Sequence, residues 1–207
     1  MKAQMKFQKI MCLVMIIVGA LGLLYAFFYM SGSMSELGYN IDQFGTNRTS
    51  NFYANPGKND ALLYDEMQPF NTLMMYLSIV MILLAVVLYI TACNKRRNYY
   101  VSNYVATGLC AGGNIIISIV LLAMNAKWRG EFLKVDFAEW KLLLDTDKNI
   151  AYHYSESTAW FDIGFAVYAI IIVAAVLLIL NMVWKIKLMQ GEKQLLSGNT
   201  LAGGEAA

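Results

Sequence analysis

Four long apolar runs, carrying a single charged residue among them, decide what this chain can fold into. They cover about 10–30, 71–93, 104–124 and 160–184, and the one charge is Asp162. A bilayer hydrocarbon core of ~30 Å takes about 20 apolar residues in a helix, so each run is long enough to cross. Proline is absent from all four: Pro56 and Pro69, the only two in the chain, fall in the stretch before the second run, which reads as a loop. Unbroken helices satisfy their own backbone hydrogen bonds, which lipid cannot do for them. The expected fold is therefore all-α, a four-helix transmembrane bundle made of two hairpins. Composition agrees. Of 207 residues, 58% are apolar and 14% charged, where a soluble domain carries nearer a quarter charged.

The first run has a basic start at Lys2, Lys6 and Lys9 and small residues at Ser31 and Ser33, as a secretory signal would. Its apolar stretch exceeds the ~7–15 residues of a signal core, so it reads as a retained span.

Lysine and arginine placement sets the expected orientation. Lys2, Lys6 and Lys9 precede span one with no acid beside them, and Lys95, Arg96 and Arg97 form a basic link between spans two and three. Lys185, Lys187 and Lys193 follow span four against Glu192 and Glu205. The stretch 31–70 instead sets Arg48 and Lys58 against Glu36, Asp42, Asp60, Asp65 and Glu66, and 125–159 mixes both signs. Both termini are thus expected in the cytoplasm and the loops 31–70 and 125–159 outside. Tyr25, Phe27, Phe28, Tyr29, Trp160 and Phe161 would mark the outer interface. Tyr99, Tyr100, Tyr104 and Trp184 would mark the inner one.

Cys12, Cys93 and Cys110 lie in or at the edge of apolar runs, which leaves no disulfide framework for the loops. Four-span families with cysteine-stapled outer loops, such as claudins, tetraspanins and connexins, are poor candidates. A shift of 91 places lays Phe70-Asn71 on Phe161-Asp162 and Gly22 on Gly113. Two helical hairpins match this well by chance, so a duplication stays open.

Outside the spans, 31–70 is rich in Gly, Ser, Asn and Thr with a turn at Asn55-Pro56-Gly57. Asn47-Arg48-Thr49 fits a glycosylation acceptor, a pattern without meaning in a bacterium. In 125–159, Leu133, Phe137, Trp140 and Leu144 recur at helical spacing, with Asp136 and Glu139 placed as a capping box. They predict a short amphipathic helix on the outer membrane face, with Trp128 helping to anchor it. Its apolar face is either a docking surface for a partner or a cover for the chain's own bundle.

Chemistry is hard to find. His153 is the only histidine and has no cysteine nearby, so zinc lacks its ligands. Gly112-Gly113 lacks the Lys and Ser/Thr of a phosphate loop, and no nucleophile elbow or paired-histidine helix occurs. The expectation is a non-enzyme without cofactor, nucleotide or nucleic acid; a net charge of +2 offers no basic patch for the last. Polar residues in the spans are few, and those that could serve a pathway are Ser78, Asn114, Ser118, Asn181 and Asp162. Asp162 stands in the first turn of span four, where the positive helix N-terminus favours an acid, and is read as a cap ahead of an ion or partner contact. Gly108 and Gly112, with Gly113, and Gly19 with Gly22 form small-residue stripes that allow helices to approach closely. Asn114 would hydrogen-bond across such a contact, beside Ser118.

The stretches Lys95-Arg96-Arg97-Asn98-Tyr99-Tyr100-Val101-Ser102-Asn103-Tyr104 and Tyr154-Ser155-Glu156-Ser157-Thr158-Ala159-Trp160-Phe161-Asp162 resemble small four-span membrane proteins of Gram-positive anaerobes. That group has no assigned chemistry and is loosely associated with sugar importers of the ABC class. The resemblance implies a bacterial plasma-membrane protein with an accessory role in solute import. Three functions follow in order of expectation. The first is a non-catalytic subunit that binds another membrane protein or its own copies within the bilayer. The second is a small self-assembling channel or carrier using Asn114, Ser118 and Asp162. The third is an outer-face sensor.

Overall fold

The computed structural model describes residues 2–29, 60–93, 99–134 and 157–203. They form four α-helices: α1 (Lys2–Tyr29), α2 (Asp60–Cys93), α3 (Tyr99–Phe132) and α4 (Ala159–Gly203). Each contains a segment long and apolar enough to cross a membrane, Gln4–Phe28, Met67–Cys93, Val101–Phe132 and Ala159–Gly191. This is the composition of a multi-pass helical membrane protein.

The helices form a closed ring in which α1 packs on α2 and α4, and α3 packs on the same two. Neighbours run antiparallel. Gln4 of α1 meets Asn181 of α4 at one end, and Tyr25 meets Trp160 at the other. Likewise Thr91 meets Asn103 across α2 and α3, and Phe70 stacks on Trp128 at the opposite end. The bundle therefore has a Gln4 end and a Trp128 end.

Its core follows a spacing of threes and fours. On α2 the buried line is Met67, Phe70, Met74, Ser78, Met81, Ala85 and Leu88; on α4 it includes Phe161, Tyr168, Ile171, Ala174, Ala175, Leu178 and Asn181. Such a stripe packs knobs into holes between nearly parallel axes. Met15, Met67, Met74 and Met81 are fully buried; their flexible thioethers fill the irregular space between helices. Lipid gives helix association no hydrophobic drive, so close contact must supply it. Gly19 and Gly113 provide it: a Cβ at either would come within 3.0 Å of Ile82 or Leu84 on α2.

The helices overrun the loops read from the sequence. The stretch 60–70, placed in the first loop, is the beginning of α2, and Pro69 lies inside that helix. Pro69 is exposed, while Met67 and Phe70 on either side point into the bundle. The same holds for 125–132, which continues α3. Lys127 and Gly130 face outward, whereas Asn125, Trp128 and Phe132 are buried at a spacing of three and four. Charges on the outer face ended the apolar run without ending the helix. Trp128 is thus a core residue stacked on Phe70, 6.5 Å between ring centres, rather than the anchor of a surface helix. Leu133 sits in the turn after α3 and is exposed. Phe137, Trp140 and Leu144 lie outside the described residues, as do Lys95, Arg96, Arg97, Asn47 and His153.

Candidate functional site

Among the described residues the bundle interior holds nine buried polar residues, and its polar groups fall into three layers. At the Gln4 end, every helix contributes to one buried network. Asn103 of α3 is its hub. Its Oδ1 accepts from Gln8 Nε2 of α1 and from Lys185 Nζ of α4, each at 2.7 Å, and its Nδ2 donates to Thr91 Oγ1 of α2 at 3.1 Å. One turn nearer the terminus, Gln4 Nε2 donates to Asn181 Oδ1 at 3.3 Å. Thr107 closes the layer by donating to the Asn103 carbonyl. Gln4, Gln8, Asn103, Thr107 and Asn181 are all buried. The Lys185 ammonium also stands 4.7 Å from the centre of the Tyr104 ring, a distance at which the ring's negative face attracts a cation.

The middle layer holds Ser78, Asn114, Ser118 and Tyr168, each with no exposed surface. Asn114 does not bond across to a neighbouring helix. Its Nδ2 donates back to the Cys110 carbonyl at 2.6 Å, one turn earlier on α3. Its Oδ1 has no hydrogen-bond partner, and neither have Ser78 Oγ, Ser118 Oγ or the Tyr168 hydroxyl. Asn114 and Ser118, one turn apart on α3, share a face, and the structure aims that face into the ring. Cys12 and Cys110 are buried free thiols, and Cys93 is an exposed one.

At the Trp128 end, Asn125 Nδ2 donates to the Phe161 carbonyl at 2.8 Å and the Tyr25 hydroxyl to the Trp160 carbonyl at 2.9 Å. These carbonyls belong to the first turn of α4. Asp162 in that turn does more than face the helix dipole. Its Oδ1 lies 3.3 Å from Arg129 Nε of α3, and its Oδ2 accepts from the Thr158 hydroxyl at 3.1 Å. The acid read as a cap is an interhelical ion-pair partner. Both members are partly exposed, so the pair adds little stability.

The glycines divide into two kinds. Gly19, Gly22, Gly113 and Gly164 all face neighbouring helices, where a Cβ would touch side chains. Gly108, Gly112, Gly130 and Gly191 do not: a Cβ at any of them meets nothing within 4 Å, and of these Gly108 and Gly112 lie four apart on an apolar stretch, with Gly108 exposed. The Gly108–Gly112 pair expected to pack helices together therefore meets nothing among the described residues and looks outward, while Gly113 beside it packs on Leu84. Around it stand Val105, Leu109, Ile116 and Ile119, exposed apolar residues of α3.

Sequence reasoning missed the Asn103 hub. Gln4, Gln8 and Asn103 sit just outside or at the edge of the apolar runs and looked like solvated flanks. The available signal was that four polar uncharged residues, Gln4, Gln8, Asn103 and Asn181, all fall at the same end of the bundle once the spans alternate in direction. Among the described residues no three of His, Cys, Asp and Glu come close enough together to hold a metal ion. Comparison with protein-family models, with curated proteins and with solved structures finds no match.

Proposed function

We propose that this protein is a non-catalytic, four-span subunit of the cytoplasmic membrane that packs against another membrane protein through the outward face of α3. The observation that carries this is the division of the glycines. A glycine in a helix interior costs roughly 1 kcal/mol relative to alanine. At Gly19, Gly22, Gly113 and Gly164 the chain's own packing accounts for it, and at Gly108 and Gly112 nothing among the described residues does. Two glycines four apart on an apolar outward face are suited to close approach by another transmembrane helix. The interior polar groups fit the same reading at the Gln4 end, where they tie all four helices into one preformed unit. Both termini are assigned to the cytoplasm by the basic flanks, in a double hairpin whose longer connections lie outside. An accessory role beside a solute importer of the ABC class is the form this takes if the resemblance to four-span proteins of Gram-positive anaerobes is one of descent.

The test is co-purification in mild detergent with mass spectrometry of the recovered proteins, repeated with Gly108→Leu and Gly112→Leu together. The reading expects one defined membrane partner that is lost in the double variant, while the variant itself stays folded. Recovery of this chain alone, in conditions that preserve known complexes, overturns it.

A second reading has one observation in its favour. Ser78, Asn114, Ser118 and Tyr168 leave four buried polar atoms unpaired in the middle layer. Polar groups at membrane depth are costly and mark solute pathways in many transporters. On this reading the bundle passes a small uncharged polar solute along its axis. It expects flux into liposomes that stops in Asn114→Leu; no flux from the reconstituted wild type excludes it.

A further inference from the structure

The α3–α4 seam at the Gln4 end opens into a cleft of about 350 Å³, lined by Tyr104, Ile186, Met189 and Gln190. We infer that this cleft holds the headgroup end of an anionic phospholipid, with Lys185 and Lys187 meeting its phosphate. Three features lead there.

The cleft is amphipathic in the way a lipid is. Ile186 and Met189 make apolar walls, and Val101 and Val105, one turn apart on α3 beside Tyr104, are exposed at 72% and 55%. They offer a path for an acyl chain along the bundle surface. Gln190 and Tyr104 add polar atoms to its lining; the Tyr104 hydroxyl is held against Met189 Sδ at 2.9 Å.

Charge is arranged on both sides of the opening. In a helix, residues three or four apart are neighbours, so Lys185 stands beside Met189 and Lys187 beside Gln190. The two lysines flank the wall that α4 contributes. Lys185 is fixed in place by Asn103 Oδ1 at 2.7 Å and by the Tyr104 ring. Its position is thus built by the buried network rather than left to a free surface chain.

Up to Gly191 the charges at this end are of one sign. From Gln4 to Lys9, Tyr89 to Cys93, Val101 to Thr107 and Asn181 to Gly191 there are Lys6, Lys9, Lys185 and Lys187 and not one Asp or Glu; the first acid is Glu192. Trp184 and Phe7, edge to face at 6.2 Å, lie at the same level. Aromatic side chains gather at the headgroup zone, so the cleft sits at the depth of lipid phosphate. Basic clefts between helices at this depth suit anionic headgroups. A zwitterionic lipid carries its own cation there and loses this advantage.

The experiment is native mass spectrometry of the full chain released from a mild detergent, after incubation with phosphatidylglycerol or with phosphatidylcholine of the same acyl chains. The expected result is retention of one phosphatidylglycerol molecule and little phosphatidylcholine. Lys185→Gln with Lys187→Gln should weaken phosphatidylglycerol retention by about tenfold or more, the loss of a charge-assisted hydrogen bond. Because Lys185 also serves the buried network, Met189→Trp is the companion variant: it fills the cleft, leaves both lysines in place, and should likewise displace the lipid. Protection of Cys12 and Cys110 from thiol reagent verifies that each variant is folded. Equal retention of the two lipids by the wild type, or full phosphatidylglycerol retention in folded Met189→Trp, overturns the assignment. So does competition by inorganic phosphate alone at equal strength, which would make the site one for free phosphate.

Discussion

The hydroxyl of Tyr25 lies directly over Gly164, so close that a Cβ there would run into the phenol ring. Tyr25 cannot yield easily. It is buried, its hydroxyl donates to the Trp160 carbonyl one turn earlier on α4, and its ring meets that of Tyr168 edge to face at 5.9 Å. Gly164→Ala therefore forces α1 and α4 apart at the Trp128 end. The expected cost is about 1–3 kcal/mol, as for an added methyl in a filled core. A lowered thermal midpoint in detergent, followed by exposure of the buried thiols, measures it.

Gly108→Ala and Gly112→Ala are the controls for that effect. Neither added methyl meets anything within 4 Å, and alanine is the better helix former. Stability of the isolated chain should stay level or rise by up to about 1 kcal/mol. A large fall in either variant would mean that this face is packed in the purified protein, by a second copy of the chain.

Asn103 should be the most sensitive polar position. In Asn103→Leu, Gln8 and Lys185 lose their shared acceptor and Thr91 its donor. An interhelical hydrogen bond in a membrane bundle averages ~0.6 kcal/mol, but an amide left buried without a partner costs about 1–3 kcal/mol more. A total loss of about 2–4 kcal/mol is expected. Thr107→Val, which gives up only a bond to its own helix, should lose less than about 1 kcal/mol. If the two variants unfold alike, the network is not what ties the helices together.

Much of this architecture was legible in the chain. Four apolar runs with one charge among them became four helices, because length and apolarity are what a membrane selects. What could not be read was which face of each helix turns inward. In a soluble helix, polar residues mark the outside. Here Leu109, Ile116 and Val173 face outward while Asn114, Ser118 and Asn181 are buried, so the usual signal is inverted and the outward face is as apolar as the core. The helix ends were misjudged for a related reason. Lys127, Arg129 and Pro69 broke the apolar run, yet Asn125, Trp128, Met67 and Phe70 continue the inward stripe past them. The Asn103 network is made by residues from four separate stretches, and no local pattern brings them together.

Asp162 should prove dispensable. Its pairing with Arg129 is more than a third exposed on both sides, 38% and 55%, where water and salt screen the charges. Asp162→Asn keeps an acceptor for the Thr158 hydroxyl and should cost less than about 1 kcal/mol, a difference that shrinks further in high salt. A loss several times larger, or one insensitive to salt, would give this acid a role beyond the ion pair.

Thiol labelling separates the fold from its orientation in one experiment. Cys12 and Cys110 are buried and Cys93 is exposed at the Gln4 end of α2, so folded protein should take up one maleimide and denatured protein three. With the Gln4 end in the cytoplasm, as proposed from the basic flanks, a membrane-impermeant maleimide should label Cys93 in inside-out vesicles and spare it in right-side-out ones. Labelling confined to right-side-out vesicles would invert the whole bundle. It would also put the α3–α4 cleft in the outer leaflet and the basic flanks outside, against the preference that lysine and arginine impose on short segments.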